Sequence, residues 1–194
     1  PAATSACSWD EGLLEFVGRT IALEARSLGV DLILGPGINI KRSPLCGRNF
    51  EYFSEDPLLS GRLGKSFILG AKDHGVGTTV KHYLANNQET RRMTVDEKID
   101  IRALREIYLK PFEIAIKEGK PMAVMCSYNS INGKFVSQSN YFLTQLLRNE
   151  WGFDGIVMSD WGAVYDRVRG VFAGMDLEMP GNGGVNNQKI FDRI

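Results

Sequence analysis

A carboxylate followed by an indole, Asp160-Trp161, ends the apolar run Gly155-Ile-Val-Met-Ser159. Such a run reads as a buried strand, and its tip presents the acid and then the ring to whatever lies beyond. Sugar chemistry uses this pair: pyranose rings have apolar C–H faces that stack on aromatic rings, and an oxocarbenium-like transition state needs a nearby negative charge. The competing reading is an Asp that caps the next helix beside a Trp that merely packs. Other polar groups follow earlier apolar runs: Arg48 in Gly47-Arg-Asn-Phe-Glu51, the pair Lys81-His82, and Tyr128 in Ser127-Tyr-Asn129. Two nitrogen donors at the end of an apolar strand are costly to bury without a ligand or a carboxylate partner. The alternatives are an Arg48 paired with Glu51 or Glu55 on the surface, a His82 bonded to a backbone carbonyl, and a Tyr128 that only fills the core. Asp176 and Glu178 read as capping groups, and Asn86, Asn87 and Glu89 as residues that shape a loop.

The elements that must position these groups follow from apolar periodicity. Leu13, Val17, Ile21, Ala25 and Leu28 recur near a period of 3.6, which predicts a helix over 10–28 with Asp10 as its N-cap and Gly29 as its stop. A continuous apolar strand at 30–34 ends in Gly35-Pro36-Gly37, and a long loop runs on to about Pro57. Helices are expected at 57–73, at 96–118 with a kink at Pro111, and at 140–150, with a short one after Trp161. They alternate with strands at 78–82, 123–126, 155–159 and 175–178. Strands that are apolar throughout and separated by amphipathic helices imply parallel βα units buried on both faces. Both an eight-fold barrel and an open doubly wound sheet fit, and the missing glycine fingerprint of a dinucleotide fold favours an α/β barrel of the (β/α)8 TIM type. About five βα units are present, where a barrel needs eight in roughly 250 residues, so residues 1–194 are expected to form part of one catalytic barrel domain without a second domain. In such a barrel the strand tips meet at one face, where Arg48, Lys81, His82, Tyr128 and Asp160 would converge.

Composition narrows the partners. With 23 basic and 23 acidic residues, the chain gives no electrostatic reason to bind nucleic acid or an anionic membrane. No apolar run approaches the roughly 18 residues of a membrane span. Three cysteines without metal-type spacing suggest neither a disulfide framework nor a zinc site, and with no visible leader they lean toward a cytoplasmic location. The glycines sit at turns and form no phosphate cradle, so no cofactor is expected. A neutral small molecule is the expected ligand.

Seven motifs in chain order carry a resemblance: Gly35-Pro-Gly37; Gly47-Arg48 through Glu51 with Ser54-Glu-Asp-Pro57; Lys81-His82; Cys126-Ser-Tyr128 with Asn132-Gly133; Trp151-Gly-Phe-Asp-Gly155; Ser159-Asp-Trp161; and Gly174 through Gly181. Together they resemble glycoside hydrolase family 3, most closely its β-glucosidases. The resemblance implies a retaining, exo-acting hydrolase that releases terminal β-D-glucose from a β-glucoside or oligosaccharide, with Asp160 as the nucleophile. It places Arg48, Lys81, His82 and Tyr128 around the terminal sugar and Trp161 at the subsite entrance. Cationic donors around a carboxylate favour its charged, nucleophilic form. A retaining mechanism also needs a second carboxyl about 5 to 5.5 Å away. In the β-glucosidases of the family that acid lies on a C-terminal α/β sandwich domain, and an Asp holding the outer hydroxyls lies upstream; neither has a match here, so little turnover is expected from this chain alone. Lys81-His-Tyr-Leu lacks the Lys-His-Phe-Pro-Gly loop of the N-acetylglucosaminidase branch, which argues against amino sugars. Two other readings stand: a non-catalytic sugar-binding fragment, and a Schiff-base barrel aldolase that uses Lys81.

Overall fold

A computed structural model describes residues 1–193. Its strands are β1 (Leu32–Ile33), β2 (Gly77–Tyr83), β3 (Asp96–Glu97), β4 (Ala123–Cys126), β5 (Ser130–Ile131), β6 (Lys134–Phe135) and β7 (Ile156–Ser159). Its helices are α1 (Ala2–Ala6), α2 (Glu11–Ser27), α3 (Pro57–Lys72), α4 (101–119), α5 (Tyr141–Glu150), α6 (Arg167–Ala173) and α7 (Val185–Phe191). Strands β1, β2, β4 and β7 form one parallel sheet in chain order. A doubly wound sheet reverses its strand order at a switch point, whereas this sheet advances by one neighbour at each step, as the wall of a barrel does. The expected α/β barrel, incomplete in this chain, is the fold found.

Local signals explain most boundaries. Asp10 caps α2 by accepting from the amides of Gly12 and Leu13, at 2.8 and 3.2 Å. Asp56 does the same for α3, with Pro57 in its first turn. Between α2 and α3 the backbones nearly touch, because a Cβ added to Gly70 would lie 2.0 Å from the carbonyl oxygen of Glu15. The interior is filled by Val80, Tyr83, Val124 and Val157 from the sheet, packed against Leu63, Phe112, Leu143 and Leu146 from the helices.

Three expectations are corrected. The helix expected from residue 96 begins at Ile101, where Asp100 accepts from the amides of Arg102 and Ala103. Asp96 and Glu97 instead form β3 beside β5, completing a small second sheet with β6. Wider π turns, Leu104–Tyr108 and Ala115–Gly119, interrupt α4, and α5 is wound in π turns throughout. The strand expected at 175–178 shrinks to a single bridge between Leu177 and Met158. The Asp176 carboxylate accepts from the Val157 amide at 2.8 Å and pairs with Arg148 at 2.7 Å, so a side chain takes part of the ladder's place. Asp176, expected as a helix or loop cap, thus binds a strand amide and an Arg instead.

Candidate active site

The tips of β2, β4 and β7 bring four polar side chains together. Between Val80 and Tyr83 the register of β2 against β4 shifts, and His82 lies within that shift. Asn39 takes over the missing backbone bonds: its Nδ2 donates to the His82 carbonyl at 2.9 Å, and its Oδ1 accepts from the His82 amide at 2.7 Å. The imidazole is thereby held with Nδ1 3.1 Å from the Tyr52 hydroxyl and Nε2 3.6 Å from Asp160 Oδ2.

Asp160 follows β7 and is only 7% exposed. Its Oδ1 accepts from the Tyr128 hydroxyl at 3.1 Å and from the Trp161 amide at 2.7 Å. Its Oδ2 is buried without a hydrogen-bond partner among the described residues. Beside this pair, Glu51 bridges two cations, with Oε1 bonded to Arg48 Nε and Oε2 3.6 Å from Lys81 Nζ. The expected Arg48–Glu51 pair exists, but it is half-buried and shared with Lys81 instead of lying on the surface. The Trp161 indole is 43% exposed beside the carboxylate.

The surroundings set the charges. Burial, reinforced by Arg48, Lys81 and Arg92, holds His82 well below the ordinary imidazole range, so the ring is neutral. Burial and then the Asp160 charge push the Tyr128 phenol up to about 12, which keeps it a proton donor. Burial pulls Arg48 down, but the Glu51 hydrogen bond and neighbouring charges outweigh it and the guanidinium ends above its ordinary value.

Of the further participants, Glu51 is the partner expected of Arg48, whereas Tyr52, Asn39 and Arg92 are not singled out by the sequence. Glu51, Tyr52 and Asn39 lie in the loop after β1, and Arg92 stacks over the Tyr128 ring at 4.5 Å while pairing with Glu89 at 2.8 Å. Asn86 and Glu89 do shape the loop, since Asn86 Nδ2 bonds both the Tyr52 hydroxyl and Glu89. Glu178 pairs with Arg167 at 3.8 Å and accepts from Asn186. Among the described residues no group of three or more His, Cys, Asp or Glu side chains could hold a metal ion, and no helix is long and apolar enough to cross a membrane.

The sequence profile described as the Glycosyl hydrolase family 3 N terminal domain matches residues 1–182. The chain belongs to glycoside hydrolase family 3. Among relatives of this family-3 chain, thermostable beta-glucosidase B of Acetivibrio thermocellus is 56% identical over 193 residues, which are all of this chain and 26% of the relative. An exo-alpha-(1->6)-L-arabinopyranosidase of Bifidobacterium longum is 53% identical over 180 residues, 93% of this chain and 24% of the relative. The structure of beta-glucosidase 3B from Thermotoga neapolitana in complex with glucose superposes with a TM-score of 0.93 at 52% identity, covering 96% of this chain and 27% of that one. The family-3 chain thus spans about a quarter of the length of the relatives it matches.

Proposed function

We propose that this family-3 chain carries the nucleophile half of a retaining, exo-acting β-glucosidase site. The observation that carries the reading is Asp160 itself, with one oxygen fixed by Tyr128 and the Trp161 amide and the other, Oδ2, buried, unpartnered and next to a neutral imidazole. In the proposed reaction Oδ2 attacks the anomeric carbon of a terminal β-linked glucose. The bond to the leaving oxygen breaks, and that oxygen takes a proton from a general acid. Water, deprotonated by the same residue, then attacks the anomeric carbon of the glycosyl-Asp160 ester and releases the carboxylate. Arg48, Lys81 and His82 offer N–H donors to sugar hydroxyls, which strengthen as charge develops on the ring. Trp161 offers its exposed face at the entrance. The general acid, we propose, comes from outside residues 1–194; the short span of this chain within its relatives supports that placement.

The test is mass spectrometry of the whole protein after incubation with a 2-deoxy-2-fluoro-β-glucoside bearing a good leaving group. One added sugar on the Asp160 peptide is expected, and an unlabelled protein would overturn the reading. A second substrate is favoured by the arabinopyranosidase relative, because an α-L-arabinopyranoside shares the equatorial anomeric bond of a β-D-glucoside. Comparing kcat/KM for the two p-nitrophenyl glycosides decides between them. Sugar bound without a labelled Asp160 would favour the non-catalytic fragment. Lys81 is paired with Glu51 and lies in a hydrolase family, which leaves the aldolase without support.

A further inference from the structure

We infer that Tyr52 is a positioning residue that holds the His82 imidazole as its Nε2–H tautomer, and so aims a permanent N–H donor at the Asp160 side of the site. The hydrogen bonds from Glu89 through Asn86 and Tyr52 to His82 run in one direction. A carboxylate only accepts, so the Asn86 atom 3.2 Å from Glu89 Oε1 is the amide nitrogen. The same nitrogen lies 3.1 Å from the Tyr52 hydroxyl and donates to it. A phenol has a single proton. Tyr52 is fully buried, and among the described residues the only other group within hydrogen-bond distance of its hydroxyl is His82 Nδ1, 3.1 Å away, so the proton is directed there and is not left unsatisfied. Nδ1 therefore accepts, and the one proton of a neutral ring sits on Nε2, which faces Asp160 Oδ2 at 3.6 Å.

The electrical surroundings favour the same state. Burial pushes the Tyr52 phenol up, so it keeps its proton. His82 is held neutral by burial and by the cations Arg48, Lys81 and Arg92. Both rings are at most 1% exposed and meet edge to face, their centroids 6.1 Å apart, so solvent does not compete for these atoms. At the other end, the Asn39 clamp on the His82 backbone fixes where the ring stands. The tautomer follows from the hydrogen bonds alone; its use in orienting Asp160 or a sugar hydroxyl rests on the function proposed above.

The experiment is 15N imidazole spectroscopy of the whole protein labelled at histidine, with the His82 signals assigned by their loss in His82→Gln. A pyridine-type Nδ1 and a pyrrole-type Nε2 at neutral pH are expected. A pyrrole-type Nδ1, or a doubly protonated ring, overturns the inference, and that result needs no variant to fold. Tyr52→Phe keeps the ring and removes the hydroxyl, and with it both the proton given to His82 Nδ1 and the acceptor of the Asn86 bond. It is expected to replace the Nε2–H signature by a mixture of tautomers and to lower kcat/KM about tenfold. An unchanged signature in that variant would overturn the role of Tyr52. If the wild-type signature is present but Asp160 takes no fluoro-sugar, the tautomer stands and the hydrolase reading falls.

Discussion

In the proposed reaction Asp160 divides the work of its two oxygens, and the division predicts what its replacement does. An Asn at 160 can still be held by Tyr128 and the Trp161 amide, but its amide cannot form the glycosyl ester. Asp160→Asn is therefore expected to lower kcat/KM of the whole protein by about 10³-fold or more, with little change in Tm, and to abolish fluoro-sugar labelling. His82 makes a second prediction. Its pKa is depressed by folding, so its contribution to stability is full above the ordinary imidazole pKa near 6.5 and is lost as the pH falls toward the folded value. Denaturant unfolding should show stability declining by up to about 1.4 kcal/mol per pH unit below 6.5. The His82→Gln protein should show a shallower decline; equal slopes would contradict a buried neutral imidazole. Asp160, Lys81, His82 and Tyr128 were legible in the sequence because each directly follows or ends an apolar strand. Arg48, Glu51, Tyr52, Asn39 and Arg92 sit in irregular loops, where no periodicity says which way a side chain faces. Arg48 and its partner Glu51 stand out only as the first oppositely charged pair in the loop that follows the strand at 30–34, and Tyr52, Asn39 and Arg92 do not stand out at all.

At the scale of elements, α2 and α3 lie so close that glycine is needed at their crossing. Gly70→Ala places a Cβ against the Glu15 carbonyl, and neither helix backbone can move without disturbing its neighbours. A loss of about 2–3 kcal/mol in unfolding free energy is expected, read as a lowered denaturation midpoint with an unchanged slope. The caps at Asp10 and Asp56 and the four main strands were readable from local chemistry. The small β3–β5–β6 sheet was not, although the tight Asn132-Gly133 turn between β5 and β6, with both residues at positive φ, is a strong hairpin signal. β3 itself depends on Ser130 and Ile131, more than thirty positions away, and no local pattern in Asp96-Glu97 announces that partner. The i→i+5 turns of α4 and α5 leave no mark in the sequence, where Leu143, Leu146 and Leu147 read as the face of an ordinary helix.

For the whole molecule, the proposed placement of the general acid outside residues 1–194 predicts a separation of two activities. The 194-residue chain is expected to hydrolyse an unactivated β-glucoside at least about 10²-fold more slowly than the whole protein, the usual weight of general acid catalysis. The gap should narrow for a dinitrophenyl glucoside, whose leaving group needs little protonation; steady-state assays on both substrates measure it. The parallel sheet also bears on how the protein is made. Leu32 pairs with Gly77, Thr79 with Ala123, and Ala123 with Ile156, so each strand leaving the ribosome finds its partner already synthesised. No strand of this sheet waits for a distant successor on both sides, and Asp160, last of the named site residues apart from Trp161, emerges when the cradle for it has already been built. Arrest-peptide force profiles should then rise in steps after β2, β4 and β7, making assembly of the site a sequence of events timed by translation.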